Sequence, residues 1–178
     1  VNSAPSSGRI PGQSSVMMMD GWTWEDATLK HPAALNLNWP NMNFDFRKNI
    51  KKNDKVQLNE YNATIREINL LVRNVRAYHH RRNAKERKAE HKQKSDLRLE
   101  SMIPFIIYKE PIHVKANDIR QIEAAVNWAS DQDLNIVIVG GRDSWLNPEL
   151  LVKNNVPVIL LGVQVTPRRR FEPIHLPY

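Results

Sequence analysis

The chain has 178 residues, of which 41% are hydrophobic and 25% charged, enough apolar material for one buried core. It contains no cysteine, which excludes disulfides and thiolate metal ligands. Its net charge of +7 is unevenly placed: residues 47–94 hold 15 Lys and Arg against 5 Asp and Glu, a surplus of +10 that leaves −3 for the rest.

Residues 1–15 are rich in Ser, Pro and Gly and are expected to form a flexible lead-in. They lack the basic flank and apolar stretch of a secretory signal. A first residue of Val1 rather than Met is what a processed product or an excised piece would show. The apolar run Val16, Met17, Met18 and Met19, closed by Asp20-Gly21, predicts a buried strand. Residues 22–30 predict a short helix with Thr23 as N-cap, ended by His31-Pro32. Leu35, Leu37 and Trp39 alternate toward a second strand, stopped by Pro40, and residues 41–56 read as a loop.

The strongest periodic signal follows. Leu58, Tyr61, Ile65, Ile68, Leu71, Val72, Val75 and Tyr78 recur at three- and four-residue steps, one apolar face of a helix. Residues 79–94 form a basic polar excursion, read either as a helical continuation or as a mobile segment. Residues 96–107 predict a further amphipathic helix. From residue 110 the rhythm is regular: strand 111–115, helix 118–130, strand 135–141, helix 144–153, strand 155–161. This β-α-β-α-β order with short links demands parallel βαβ units in a single α/β domain over residues 1–178. No run of about 18 apolar residues occurs, so no membrane span is expected.

In parallel α/β folds, ligands gather at the carboxyl ends of the strands. Three segments follow from that rule: 115–118, 140–143 and 162–164. Lys115 reads equally as a strand-end lysine in solvent and as a base, Schiff-base amine or anion clamp. Asn117 is a ligand-binding candidate beside it, and Asp118 reads better as the N-cap of the next helix. Gly140 and Gly141 permit a tight turn or close backbone approach to a ligand. Arg142 could pair an anion, but an ion pair with Asp143 is the simpler reading. No phosphate-cradling glycine motif is present.

The six histidines, His31, His79, His80, His91, His113 and His175, form neither a His-x-His pair nor a His-Glu-x-x-His motif. His113 shares a strand face with Lys115 and reads as a satisfied core histidine. The basic loop 167–173 and the stretch 81–94 read as solvated. The latter has no aromatic residue to stack on bases, which disfavours a nucleic-acid partner.

Pro111-Ile-His-Val-Lys-Ala-Asn, Asn135-Ile-Val-Ile-Val-Gly-Gly-Arg-Asp-Ser-Trp and Asn155-Val-Pro-Val-Ile-Leu resemble the later barrel strands of amidohydrolases related to imidazolonepropionase. Ile10-Pro-Gly-Gln-Ser-Ser-Val and Gly21-Trp-Thr-Trp-Glu-Asp resemble a stretch near the middle of such proteins. The resemblance implies part of a TIM-like (β/α)8 metal-dependent hydrolase barrel acting on non-peptide carbon–nitrogen bonds.

Departures from that plan accompany it. Lys115 and Gly140 stand where the family usually places strand-end histidines. The His-x-His pair and the late catalytic Asp are missing, and such a barrel commonly needs about 250 residues. The expectation is therefore a chain with no metal site and no activity by itself. Either the chain is a fragment, and divalent zinc, iron or manganese would belong to the complete protein, or it belongs to a divergent branch that has lost the metal site. The rival expectation is a non-catalytic small-anion binding or interaction domain on the same fold, served by Lys115, Asn117, Gly140, Gly141 and Arg142. Partners in either case are a small-molecule substrate or anion, and the remaining part of the same polypeptide or a homo-oligomer.

Overall fold

The computed structural model describes residues 1–42, 54–86 and 95–161. Six strands form one sheet in sequential order, curled as a half barrel: β1 (Asn2–Ser3), β2 (Gly12–Met17), β3 (Thr28–Asn38), β4 (Ile112–Ala116), β5 (Ile136–Gly140) and β6 (Val158–Leu160). The first two junctions are antiparallel and the last three parallel. Helix α2 (Asp54–Glu86) connects β3 to β4 together with two single turns, α3 (Leu97–Glu100) and α4 (Ile103–Ile106). Helix α5 (Ile119–Asp131) connects β4 to β5, and α6 (Pro148–Lys153) connects β5 to β6. The βαβ rhythm expected after residue 110 is thus present, and β3 extends it by one more parallel strand.

Register explains the core. Leu35, Ile112 and Ile136 lie side by side across β3, β4 and β5, and Leu37, Val114 and Ile138 form the next row. All six are buried, against Ile68, Val72 and Val75 of α2 and Ile122 and Val126 of α5. Each such side chain contributes roughly 1.5–3 kcal/mol by leaving water. Trp128 of α5 tilts against Trp39, ring centroids 5.5 Å apart, and its Nε1 donates to Asn69 Oδ1 of α2 at 2.7 Å. Arg76 of α2 donates to the Gln132 carbonyl at 2.5 Å, which ties the long helix to the end of α5.

Helix α2 is longer than its apolar stripe. Ile68, Val72, Val75 and Tyr78 are buried, and the helix then runs on through the polar residues to Glu86. At about 1.5 Å per residue its 33 residues span roughly 50 Å. The polar end is held laterally: the Arg82 guanidinium pairs with the Glu100 carboxylate, and Asp96 N donates to Tyr78 Oη at 3.4 Å. The remainder of the basic excursion, 87–94, lies outside the described residues, as does most of the expected loop 41–56.

Several local expectations are corrected. The segment 1–15 carries β1 and the start of β2, because its backbone groups pair: Asn2 faces Val16, and the Val1 nitrogen donates to the Met17 carbonyl at 2.5 Å. The buried methionine strand is instead β2, in which Ser14 is the buried residue while Met18 and Met19 lie beyond it, exposed. The helix at 22–30 shrinks to one turn, α1 (Trp24–Ala27), with Thr23 Oγ1 accepting from Asp26 N as expected of the cap. Strand pairing claims the rest, since Met17 faces Thr28 and Val16 faces Lys30, and a four-residue helix has little cooperative stability to compete. The strand β3 therefore passes through Pro32, whose peptide bond is cis.

The helix expected at 96–107 breaks in two. Pro104 lacks a donor N–H and sits in the first turn of α4, where none is needed. Pro148 acts alike: residues 144–146 form a separate 3-10 turn, and Asn147 Oδ1 caps α6 by accepting from Leu150 N at 3.3 Å.

Candidate functional site

Lys115 and Gly140 meet at the carboxyl rim of neighbouring strands, with Lys115 facing Val139 and Ala116 facing Gly140. The third expected segment, 162–164, and the basic loop 167–173 lie outside the described residues. So do His91 and His175.

Two loops leave this rim, and they are stitched together through their backbones. Gly141 N donates to the Ala116 carbonyl at 2.8 Å, and Asp143 N donates to the Asn117 carbonyl at 3.0 Å. Gly140 has φ +104° and Gly141 φ +57°, conformations that disfavour any side chain. A Cβ on Gly140 would run into Asn117 Oδ1, and one on Gly141 into the Val158 side chain. The glycine pair therefore serves close approach between neighbouring strands and loops of this chain.

The charged groups of the rim are largely engaged. Arg142 Nε donates to Asp143 Oδ1 at 3.0 Å, and Nη2 to Oδ2 at 3.4 Å. Both side chains are mostly buried, at 18% and 4% exposure, so the pair expected at the surface is an inner strut of the β5–α6 loop. Asp118 caps α5 in a capping box: its carboxylate accepts from Arg120 N at 3.0 Å, and Gln121 Oε1 accepts from Asp118 N at 3.2 Å. Gln121 also donates to the Pro40 carbonyl at 3.0 Å and so holds the end of β3.

Lys115 differs from these neighbours. Strand alternation puts Ile112, Val114 and Ala116 into the helix-covered core, and His113 and Lys115 on the opposite face. The Lys115 side chain is exposed and makes no hydrogen bond or ion pair with another described residue. His113 lies one layer below it, half-buried, its imidazole likewise without a hydrogen bond to a described residue. The expected satisfied core histidine is thus corrected, because the core lies on the other side of the strand. Burial lowers its pKa below the usual 6.5, since desolvation disfavours the imidazolium.

Sequence reasoning missed two further members of this face. Asn36 pairs in register with His113, and Asn38 with Lys115. Asn36 Nδ2 donates to the Gly12 carbonyl at 3.0 Å, and Asn38 Nδ2 to the Gly8 carbonyl at 2.6 Å. The signal was present in the alternation Leu35-Asn36-Leu37-Asn38, but that β3 lies beside β4 is a matter of topology.

The described part of the rim can therefore present the Lys115 cation above a half-buried imidazole, with Asn36 and Asn38 of β3 on one side and Val137 and Val139 of β5 on the other. A solved structure of an amidohydrolase from Thermotoga maritima MSB8 superposes on the chain's fold with a TM-score of 0.77, at 20% identity, over 96% of this chain. The chain shares the fold of part of that structure. It spans 43% of that structure's length. No family model and no curated protein matches the sequence.

For the divalent metal implied by the resemblance, the described strand ends hold Lys115 and Gly140. Lys115 offers an ammonium and Gly140 no side chain at the strand ends. Among the described residues, no group of three or more His, Cys, Asp or Glu is placed to hold a metal ion.

Proposed function

We propose that this chain is the binding element of an amidohydrolase-like protein and does not catalyse by itself. Hydrolysis of non-peptide carbon–nitrogen bonds, in the imidazolonepropionase-related branch, is the reaction class of the complete assembly. The observation that carries this reading is the contrast at the strand-end rim. Arg142, Asp143 and Asp118 are committed to partners within the chain, whereas Lys115 projects from the same rim with no described partner. A lysine on that side of the sheet is suited to hold the carboxylate or other anionic group of a small substrate. Below it, the His113 imidazole is kept neutral by burial and can accept or donate a hydrogen bond without adding a second positive charge.

Calorimetric titration with a small carboxylate tests the reading. Saturable binding is expected, weakened by about tenfold or more in Lys115→Met. Equal affinity in the variant would overturn the assignment of Lys115. Ammonia release from a linear primary amide and ring opening of a cyclic amide, with zinc, iron or manganese added, are expected to stay at the uncatalysed level. Turnover by this chain would overturn its non-catalytic character.

A further inference from the structure

Two exposed surfaces of this molecule have opposite and matching chemistry, and neither belongs to the strand-end rim. The first is the tip between β2 and β3. Trp22 is 99% exposed, Trp24 70%, Met19 86% and Leu29 62%, an apolar cluster within a dozen residues of chain. Isolated surface apolar residues are ordinary, but a concentrated group with two indoles marks a contact surface. Asp20, Glu25 and Asp26 lie among them, and their carboxylates pair with no cation among the described residues.

The second surface is a groove of about 640 Å³ beside α2, near the end of α5. Its walls include Arg66 and Arg73, with Ala63 and Leu70 as the apolar part and Asn69 and Gln132 along the side. The two arginines are seven residues apart, two helical turns or about 10 Å, and both face solvent. Neither pairs with a carboxylate among the described residues. The acidic residue of the groove, Glu67, is already held by Arg9. Leu70, half exposed, lies between the arginines.

An indole standing edge-on against Leu70 would turn one face to each guanidinium group, a favourable arrangement because the ring face attracts cations. The carboxylates of Glu25 and Asp26 would then reach the same guanidinium groups. The tip does not occupy the groove of its own molecule, since Trp22 is almost fully exposed. We propose that the acidic, tryptophan-bearing tip of one copy docks into the arginine-lined groove of a second copy. Such a contact joins different patches and is heterologous, so each molecule keeps one free tip and one free groove.

Light scattering and sedimentation of the full chain across a concentration series test this. The mean mass is expected to rise with concentration at about 0.05 M salt and to fall back at about 0.5 M, as charge-assisted contacts are screened. Trp22→Ala with Trp24→Ala removes the tip, and Arg66→Glu with Arg73→Glu removes the groove. Each double variant is expected to fold with an unchanged circular dichroism spectrum and to remain monomeric. Mixed together they retain one intact tip and one intact groove, and are expected to form a dimer and nothing larger. A wild-type chain that is monomeric at every concentration overturns the proposal, as does a mixture that stays monomeric. A monomeric chain whose tip binds phosphatidylcholine vesicles through Trp22 also overturns it and assigns the tip to a lipid surface.

Discussion

The two faces of strands β3, β4 and β5 are built from alternate residues of the same short segments, yet they have opposite characters. One face, with Leu35, Leu37, Ile112, Val114, Ile136 and Ile138, is sealed by α2 and α5. The other, with Asn36, Asn38, His113 and Lys115 of β3 and β4, carries polar groups that are half-buried, exposed or tied to the N-terminal loop, beside the half-buried Val137 and Val139 of β5. The first face holds the sheet together. The second is therefore free to carry chemistry that adds little to stability. Substitutions on adjacent residues of one strand should separate these roles.

The largest effect is expected from the sealed face. Ile138→Ala leaves a cavity at a fully buried position and should destabilise the fold by about 2–5 kcal/mol in urea denaturation. A loss below about 1 kcal/mol would mean that the helix layer closes over the gap and that the two faces differ less than their burial implies. Next is the rim that joins the faces. Gly140→Ala places a Cβ against Asn117 at φ +104° and should cost about 1–3 kcal/mol, read as a lowered denaturation midpoint. Asp118→Ala removes one half of the capping box and should cost about 1 kcal/mol, with amide exchange accelerated in the first turn of α5.

The smallest effect should come from the open face, and it depends on pH. The folded pKa of His113 lies below the ordinary 6.5, so the unfolded chain binds more protons in the window beneath that value. The stability of the neutral form is fully present above it and is lost as pH falls through the folded pKa. Thermal melts should show His113→Gln losing less stability than the wild type between pH about 7.5 and about 5. Parallel curves would place His113 in water and remove the lower layer of the proposed site.

Alternation and periodicity carried much of this architecture into view beforehand. The stripe from Ile68 to Tyr78 is the buried face of α2, and β4, α5 and β5 lie within a residue or two of the segments read from the pattern. These elements were legible because each buries one continuous apolar face, which prints a period of 3.6 or 2 on the chain. The methionine run misled because apolar character does not specify a layer to bury it. Residues 28–32 misled because their partners lie in β2, and their local spacing contains no trace of that pairing.

Taken alone, the order of residues determined which side chains share a face and where caps fall. Thr23 and Asp118 cap their helices through contacts only three residues or fewer away, and such contacts depend on little else. It also placed His113 and Lys115 together, since two residues along a strand is a fixed geometry. Only the tertiary structure decided that Asn36 and Asn38 stand beside them, that Arg142 and Asp143 neutralise each other out of solvent, and that the core lies behind His113 instead of around it. Those outcomes depend on which strand lies next to which and on which side the helices pack. These are contacts between distant parts of the chain, and their energy becomes available only when the sheet is assembled.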